Sequence, residues 1–247
     1  MRLSDKNRKI ATLIHIFYEN GWDVIHEQLK QLEQFDLKVL VNICDNNFKK
    51  DQISKEIKRA YPSAVVIASP NIGKDIGGKM ALLDLAIRLK CQADYYILLH
   101  DKKSPHTTLG DRWREKLFKI VQKDCAAQIH ALFLKHEKIG IVAIKEMITN
   151  EYNSKTGDFS THNNEILKKL ITQYDFKIRN FDFIGGTMFW VRAEIYNNFF
   201  SKHSALEIRA TLEKGNVLDY TQGTTTHAWE RMLSYIVTNE KYELMGI

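Results

Sequence analysis

The first hundred residues alternate between apolar runs and amphipathic segments, and this alternation constrains the fold more than any other feature. Four short runs rich in β-branched or aromatic residues predict buried strands, at residues 10–17, 38–43, 64–69 and 95–99. Segments with helical spacing follow the first three runs, including a charged helix over 49–61 and an apolar one over 80–90. Strand–helix–strand alternation with short loops predicts an α/β fold, a mostly parallel sheet flanked by helices.

The second half of the chain is less regular. Its pattern predicts one or two helices over 112–136, a strand over 139–144 and a helix over 165–174. A short strand over 187–191 and a helix over 226–237, with Thr226 as its N-cap, follow. The polar segment 145–164 reads as a long mobile loop. No linker rich in Pro, Gly or Ser interrupts the chain, so we predict a single domain over residues 1–247.

Composition narrows the classes of protein. The three cysteines, Cys44, Cys91 and Cys125, form no CxxC pair, which argues against a zinc ribbon or a disulfide framework and favours a reducing compartment. No apolar run approaches the roughly 20 residues of a membrane span, so we expect a cytoplasmic protein, peripheral to a membrane at most. The net charge of +6 is scattered, and no nucleic-acid recognition motif accompanies it. We therefore expect no nucleic-acid partner.

The first candidate site follows the third predicted strand. In NIGKDIGG, over 71–78, glycines allow the backbone to approach a ligand, and the start of the next helix favours an anion. Asp75 could accept hydrogen bonds from sugar hydroxyls. The alternative is a glycine-rich turn that Asp75 merely caps. If the segment binds a donor, its contributing residues are Asn71, Gly73, Lys74, Asp75, Gly77 and Gly78.

The second candidate site follows the fourth predicted strand. Two imidazoles, a carboxylate and two ammonium groups occur within seven residues, at His100, Asp101, Lys102, Lys103 and His106. Carboxylate and imidazole groups bind divalent cations, and lysines neutralise a diphosphate. The alternative is a solvated polar loop. In parallel sheets ligands bind beyond the carboxyl ends of the strands, so this segment and the first are expected at the same edge.

Two later segments complete the set of candidates. Gly185, Gly186 and Thr187 enter an aromatic strand in which Trp190 or Phe189 could stack on a sugar ring; the alternative is a core strand entered through a glycine turn. His227 and Glu230 are three residues apart and share a helix face, as a metal ligand and a general base would. The alternative is a helix start in which Glu230 pairs with a neighbouring arginine.

Taken in order, five segments resemble the rhamnan synthesis protein F family. They are IFYENGWD, NIGKDIGG, LLHDKKSPH with DRWREKL, FIGGTMFWVRAE and HAWERML, and the resemblance extends from about residue 14 to about residue 237. The family is associated with assembly of rhamnose-containing bacterial polysaccharides and resembles a branch of the GT-A glycosyltransferases. The resemblance therefore implies a GT-A-like, Rossmann-like domain.

The resemblance also implies a reaction, the inverting transfer of rhamnose. The donor would be a nucleotide sugar, dTDP-L-rhamnose, and the acceptor a glycan or lipid-linked glycan of the bacterial surface. Asp101 lies where GT-A enzymes carry a metal-binding DxD, although the sequence here is HDK, and His227 lies at a late metal-binding histidine. These two would hold Mg²⁺ or Mn²⁺, with Asp101 and Glu230 as catalytic carboxylates. His100, Lys102 and Lys103 would join the donor site.

Two other functions fit the same residues. The HDK in place of DxD fits a carbohydrate-binding or scaffold module of GT-A-like fold without catalysis. A metal-dependent hydrolase would use His100, Asp101, His106 and His227, provided that these side chains converge with metal-ligand geometry.

Overall fold

The computed structural model describes residues 9–101 and 110–247, with side chains from residue 114 in the second range. The strands are β1 (Lys9–Ile16), β2 (Asp36–Cys44), β3 (Val65–Ser69), β4 (Tyr95–His100), β5 (Ile139–Ala143), β6 (Ile148–Asn150), β7 (Tyr152–Asn153), β8 (Asp158–Phe159), β9 (Asp182–Ile184), β10 (Phe189–Arg192) and β11 (Glu243–Gly246). The helices are α1 (Gly21–Leu29), α2 (Lys50–Ala60), α3 (Lys74–Arg88), α4 (Gly110–Phe118), α5 (Lys123–Lys135), α6 (Asn164–Gln173), α7 (Ala193–Phe200), α8 (Ala205–Ala210) and α9 (Thr225–Asn239).

A seven-stranded sheet organises the described residues, in the order β11-β5-β10-β4-β1-β2-β3. All neighbouring pairs are parallel except those of β10, which is antiparallel to both β4 and β5. Leu13 of β1 lies opposite Leu40 of β2 on one side and Leu98 of β4 on the other, and all three are fully buried. The predicted α/β fold with a mostly parallel sheet is confirmed.

Helix α3 begins six residues earlier than the sequence predicted. Gly77 and Gly78, expected in a loop, lie inside the helix. Glycine is needed at both positions, because the neighbouring atoms leave no room for a side chain. A Cβ on Gly78 would lie 2.2 Å from Nδ1 of His15, and one on Gly77 would lie 1.7 Å from the carbonyl oxygen of Ile72. Helix α3 therefore packs closely over β1, and a turn over residues 70–73 connects it to β3.

The segment predicted as a mobile loop, 145–164, contains three short strands instead. Strand β6 pairs with β9, and β7 pairs with β8 as a hairpin. The ring of Tyr152 lies 4.0 Å from that of Phe181 and 5.2 Å from that of Phe159, centroid to centroid. This aromatic cluster fixes the hairpin to the body of the protein, so the prediction of a mobile loop is wrong.

Helix α9 begins close to the predicted residue but has a different N-cap. The hydroxyl of Thr224 accepts a hydrogen bond from the backbone N–H of His227, 3.2 Å away, whereas Thr226 lies in the first turn. The carboxylate of Glu213 accepts further bonds from the backbone N–H groups of Thr225 and Thr226. These bonds set where α9 begins. In the ranges 9–101 and 110–247, no helix combines the length and apolarity needed to cross a bilayer.

Candidate functional site

A cavity of about 410 Å³ contains parts of all four predicted segments. Its lining includes side chains or backbone of Lys74, Asp75, Ile76, His100, Thr149, Glu151, Phe183, Gly185, Gly186, Thr226, His227, Glu230 and Arg231. The first segment follows β3 and His100 ends β4, so the cavity lies at the carboxyl edge predicted for the ligand. A second cleft of about 440 Å³ lies where β1 and β2 begin, and no predicted site residue lines it.

One wall of the cavity is the turn between β3 and α3. Gly73 and Lys74 both have left-handed backbone conformations, with φ of +71° and +50°. A side chain at Gly73 would collide with Leu212, because its Cβ would lie 2.3 Å from Cδ1 of that residue. The N–H of Gly73 donates to the carbonyl of Glu213, 2.8 Å away. These constraints direct Lys74 and Asp75 into the cavity. A residue other than glycine with a left-handed backbone, such as Lys74, is strained, and such residues are often found at functional sites.

The opposite wall is the turn between β9 and β10. Gly186 and Thr187 are also consecutive left-handed residues, with φ of +80° and +49°. The N–H of Gly186 donates to Oε1 of Glu230 over 2.7 Å. Oε2 of Glu230 accepts a second bond, of 2.8 Å, from Nη1 of Arg231. The carboxylate of Glu230 is therefore held in a set orientation at the cavity.

Arg231 links Glu230 to the β6–β9 side of the cavity. Its guanidinium donates through Nε and Nη2 to both carboxylate oxygens of Glu151, over 3.1 and 2.7 Å, and lies 4.5 Å above the ring of Phe183. Burial by itself would lower the pKa of Arg231, but its hydrogen bonds to Glu151 and the negative charge of Glu230 raise that pKa above its usual value. The predicted alternative, in which Glu230 pairs with an arginine, is thus present in the geometry.

His227 lies at the cavity between charged neighbours. Its Nδ1 is within hydrogen-bond distance of the Thr224 hydroxyl, and its Nε2 lies 3.4 Å from Nζ of Lys74 and 3.7 Å from Oδ1 of Asp219. Burial and then the charge of Lys74 lower the pKa of His227, while Asp219 opposes them. The imidazole is therefore neutral at pH 7 and lies beside a lysine ammonium.

Lys79 was missed by the sequence analysis, yet it contacts three of the four segments. Its side chain has no exposed surface, and Nζ lies 3.0 Å from Oδ2 of Asp75, 3.1 Å from Nδ1 of His100 and 2.6 Å from Oγ1 of Thr187. The sequence does contain a signal for it. Lys79 follows Asp75 by four residues and interrupts an otherwise apolar helical stretch, which is typical of a buried i,i+4 pair.

Asp101 has a different environment from the one expected of a metal ligand. Its carboxylate accepts hydrogen bonds from the backbone N–H groups of Phe17, at 2.9 Å, and Tyr18, at 2.6 Å. It is 5% exposed and does not line the cavity, and a Cβ on Gly21 would lie 2.1 Å from its Oδ2. Asp101 therefore orders the turn between β1 and α1.

Other predicted residues support the cavity without lining it. The side-chain amide of Asn71 donates a hydrogen bond to Asn216, and the hydroxyl of Thr187 accepts one from Lys79. Gly77 and Gly78 allow α3 to pack closely on its neighbours.

Trp190 is fully buried, and its indole N–H donates to the carbonyl of Ile120 over 2.9 Å. The prediction that Trp190 stacks on a sugar is wrong, because its ring lies in the core. Lys102, Lys103 and His106 lie outside the described residues.

The residues named for a divalent cation do not fit one. The carboxylate of Asp101 orders the turn after β1 and does not line the cavity that His227 lines. Nε2 of His227 faces the Lys74 ammonium, which repels a second cation. In the part of the chain that the structure describes, no group of three or more His, Cys, Asp or Glu side chains is arranged to hold a metal ion.

Comparison with known proteins gives a family and several distant structures. The family model of rhamnan synthesis protein F matches residues 2–242. No curated protein matches the sequence. Mannosyltransferase PcManGT from Pyrobaculum calidifontis, solved with GDP-Man and Mn²⁺, is 12% identical with a TM-score of 0.46 over 98% of this chain. The present chain spans 56% of the length of that mannosyltransferase.

Two further structures are similar at the same level. Glucosyl-3-phosphoglycerate synthase from Mycobacterium tuberculosis, solved with Mn²⁺, UDP and phosphoglyceric acid, is 11% identical with a TM-score of 0.41, over 94% of this chain and 80% of that one. S. aureus TarS, solved with UDP, is 11% identical with a TM-score of 0.43, over 94% of this chain and 65% of that one.

Proposed function

Because the chain belongs to the rhamnan synthesis protein F family, we propose that it is a single-domain, GT-A-like glycosyltransferase that acts in polysaccharide synthesis. The reaction would transfer rhamnose from dTDP-L-rhamnose to a glycan or lipid-linked glycan of the bacterial surface, with inversion at the anomeric carbon. The observation that carries the proposal is the cavity itself. It combines Lys74 and His227, suited to a phosphate, with the oriented carboxylate of Glu230.

The donor would bind against the start of α3. The Lys74 ammonium supplies a positive charge for the diphosphate, and the neighbouring imidazole of His227 supplies a hydrogen-bonding group. Asp75 and His100 line the same part of the cavity and are suited to sugar hydroxyls. Lys102 and Lys103 remain proposed diphosphate ligands from the sequence. Gly185 and Gly186 would leave room for the acceptor.

Glu230 would act as the general base. A carboxylate has about four lone-pair positions, and the bonds from Gly186 and Arg231 use two of them. The remaining positions can accept the proton of an acceptor hydroxyl as its oxygen attacks the anomeric carbon. The bond to the nucleoside diphosphate breaks, and charge develops on the sugar as in related glycosyl chemistry. Asp101, assigned a catalytic role from the sequence, would instead be a positioning residue.

The family resemblance implies Mg²⁺ or Mn²⁺, and two of the similar structures were solved with Mn²⁺. The described residues named for that ion do not fit it, so no step of the proposed reaction passes through a metal. We infer a cytoplasmic protein because its three cysteines form no disulfide, and we infer peripheral contact to anionic lipid from its net charge of +6. Equal sedimentation with anionic and neutral vesicles at low salt would argue against that contact.

A second candidate is a carbohydrate-binding module without catalysis. Both Glu230 oxygens already accept hydrogen bonds, as those of a purely structural carboxylate would. Release of nucleoside diphosphate from the donor separates the two functions, because only the enzyme performs it.

A thermal-shift experiment tests the donor site. A ligand at one hundred times its Kd stabilises the native state by about 2.7 kcal/mol, which raises the melting temperature by roughly 5–10 °C in a chain of this size. We expect the largest shift with dTDP-L-rhamnose, compared with UDP-glucose and GDP-mannose. Lys74→Met should lose the shift. Lys90→Met is the matched control, since Lys90 is also left-handed (φ +47°), follows the other end of α3 and lines the opposite cleft. Equal shifts in both variants would refute the assignment.

A further inference from the structure

The ammonium of Lys79 is buried at the centre of the site. A buried charge is costly unless it is paired and hydrogen-bonded, and Lys79 meets both conditions. Besides Asp75, His100 and the Thr187 hydroxyl, Nζ lies 2.8 Å from the carbonyl oxygen of Thr187. The Thr187 hydroxyl in turn donates to Oδ2 of Asp75 over 2.7 Å. Four acceptors for three N–H groups leave the ammonium fully bonded.

Lys79 occupies the place between the two cavity side chains best suited to a metal ion. Asp75 and His100 offer a carboxylate oxygen and an imidazole nitrogen, and these two atoms lie 3.6 Å apart. A divalent cation would bond each of them at roughly 2.0–2.2 Å. Nζ of Lys79 is already within hydrogen-bond distance of both atoms. A metal ion bonded to both atoms would lie next to this fully buried ammonium, whose charge repels it.

We propose that the Lys79 ammonium is the resident cation of this site, so that a nucleoside diphosphate binds without a divalent cation ligated by Asp75 or His100. The ammonium neutralises Asp75 and orients His100, and through Thr187 it fixes the left-handed turn next to Gly186. Since the N–H of Gly186 holds Glu230, Lys79 is a positioning residue for both walls of the cavity. The proposal rests on the proposed function only in that dTDP is the nucleotide used to test it.

The first test measures dTDP binding to the wild-type protein by calorimetry, in EDTA and in Mn²⁺. We expect the two Kd values to differ by less than about tenfold, which corresponds to about 1.4 kcal/mol. The proposal would be overturned if Mn²⁺ lowers the Kd of dTDP by more than about tenfold and the Asp75→Asn substitution abolishes that effect. Absence of dTDP binding in both buffers would contradict the proposed function, and the resident-cation proposal would then be decided by the second test.

The second test uses Lys79→Met and asks whether the variant gains a response to a metal ion. Without the ammonium, Asp75 and His100 are left for Mn²⁺, so Mn²⁺ should raise the melting temperature of the variant and leave that of the wild type unchanged. A merely structural lysine would give a destabilised variant with no response to Mn²⁺, and this result would refute the proposal.

Arg88→Met is the matched control for the second test. It removes the cation of the Asp84–Arg88 pair, which has the same i,i+4 spacing on the same helix but an arginine that is 68% exposed. Its melting temperature should not respond to Mn²⁺. If Lys79→Met does not fold, the comparison of dTDP binding in EDTA and Mn²⁺ decides the proposal by itself.

Discussion

Replacing Glu230 with glutamine separates a catalytic carboxylate from a structural one. The side-chain amide keeps an oxygen that can accept the N–H of Gly186, but its NH₂ group then faces the donating Nη1 of Arg231. A hydrogen bond to a charged group contributes about 1.5–3 kcal/mol. Arg231 keeps both bonds to Glu151, so we expect a loss near the lower limit, about 1.5–2 kcal/mol. At about 2–4 °C per kcal/mol, the melting temperature should fall by roughly 3–8 °C.

The same substitution should have a much larger effect on turnover. Loss of a positioned general base lowers the rate by about 10²–10⁴-fold. The assay is release of nucleoside diphosphate from the nucleotide sugar in the presence of a polysaccharide acceptor, measured at a temperature where the variant is folded. Donor binding should persist in Glu230→Gln, because the diphosphate is assigned to Lys74 and His227.

Glu151→Gln is the matched control. Glu151 also lines the cavity, also pairs with Arg231, and is 22% exposed against 19% for Glu230. We expect a similar loss of stability with a turnover within about tenfold of the wild type, which is less than a base contributes. Equal turnover in the two variants, at any level, would refute the assignment of Glu230 as the base.

Two further predictions concern the packing beneath the cavity. Gly78→Ala should lower stability by about 1–3 kcal/mol in a melting experiment, because its Cβ would overlap the His15 ring. Gly185→Ala should melt like the wild type, because its Cβ would lie 3.6 Å from the carbonyl oxygen of Met147, and equal melting temperatures for the two variants would contradict the close packing at Gly78. Burial lowers the pKa of His15 from 6.5 to about 4, so below pH 6.5 the unfolded chain binds a proton that the folded protein does not. The contribution of His15 to the free energy of unfolding should therefore be fully present above pH 6.5 and fall by about 3 kcal/mol as the pH drops towards 4. The free energy of unfolding of His15→Gln should fall less steeply over that range, and parallel pH profiles for wild type and variant would count against the role of His15.

The elements that the sequence predicted well are four apolar strands and one helix with strong helical spacing. Strands β1 to β4 and helix α2 lie within two residues of their predicted limits at each end, because continuous apolar runs and helical spacing report burial directly. Strand β11 was not predicted. It is four residues long, contains Glu243 and Gly246, and pairs with β5, which lies about a hundred residues earlier. Such a short strand is stabilised by pairing with a strand that is distant in the sequence, so its own residues show no periodic hydrophobic pattern.

The start of α3 shows the limit of local propensity. Two adjacent glycines disfavour a helix by about 1 kcal/mol each, so the sequence favours a loop over 71–78. The helix forms because Gly78 lets α3 approach His15 of β1 and because the turn at Gly73 is fixed by Glu213. Both contacts are long-range, and propensity contains no information about them.

The sequence alone determined that the first two candidate segments meet at the site. In a parallel sheet, polar residues that follow strands must gather at the carboxyl edge, and this topology places Lys74, Asp75 and His100 around one cavity. Only the tertiary structure decided what each side chain does there. Asp101 accepts backbone N–H bonds from the chain after β1, and Lys79, on a helix, contacts Thr187 from a turn more than a hundred residues later. The direction of a polar side chain depends on the partner that compensates its burial, and that partner comes from a distant part of the sequence.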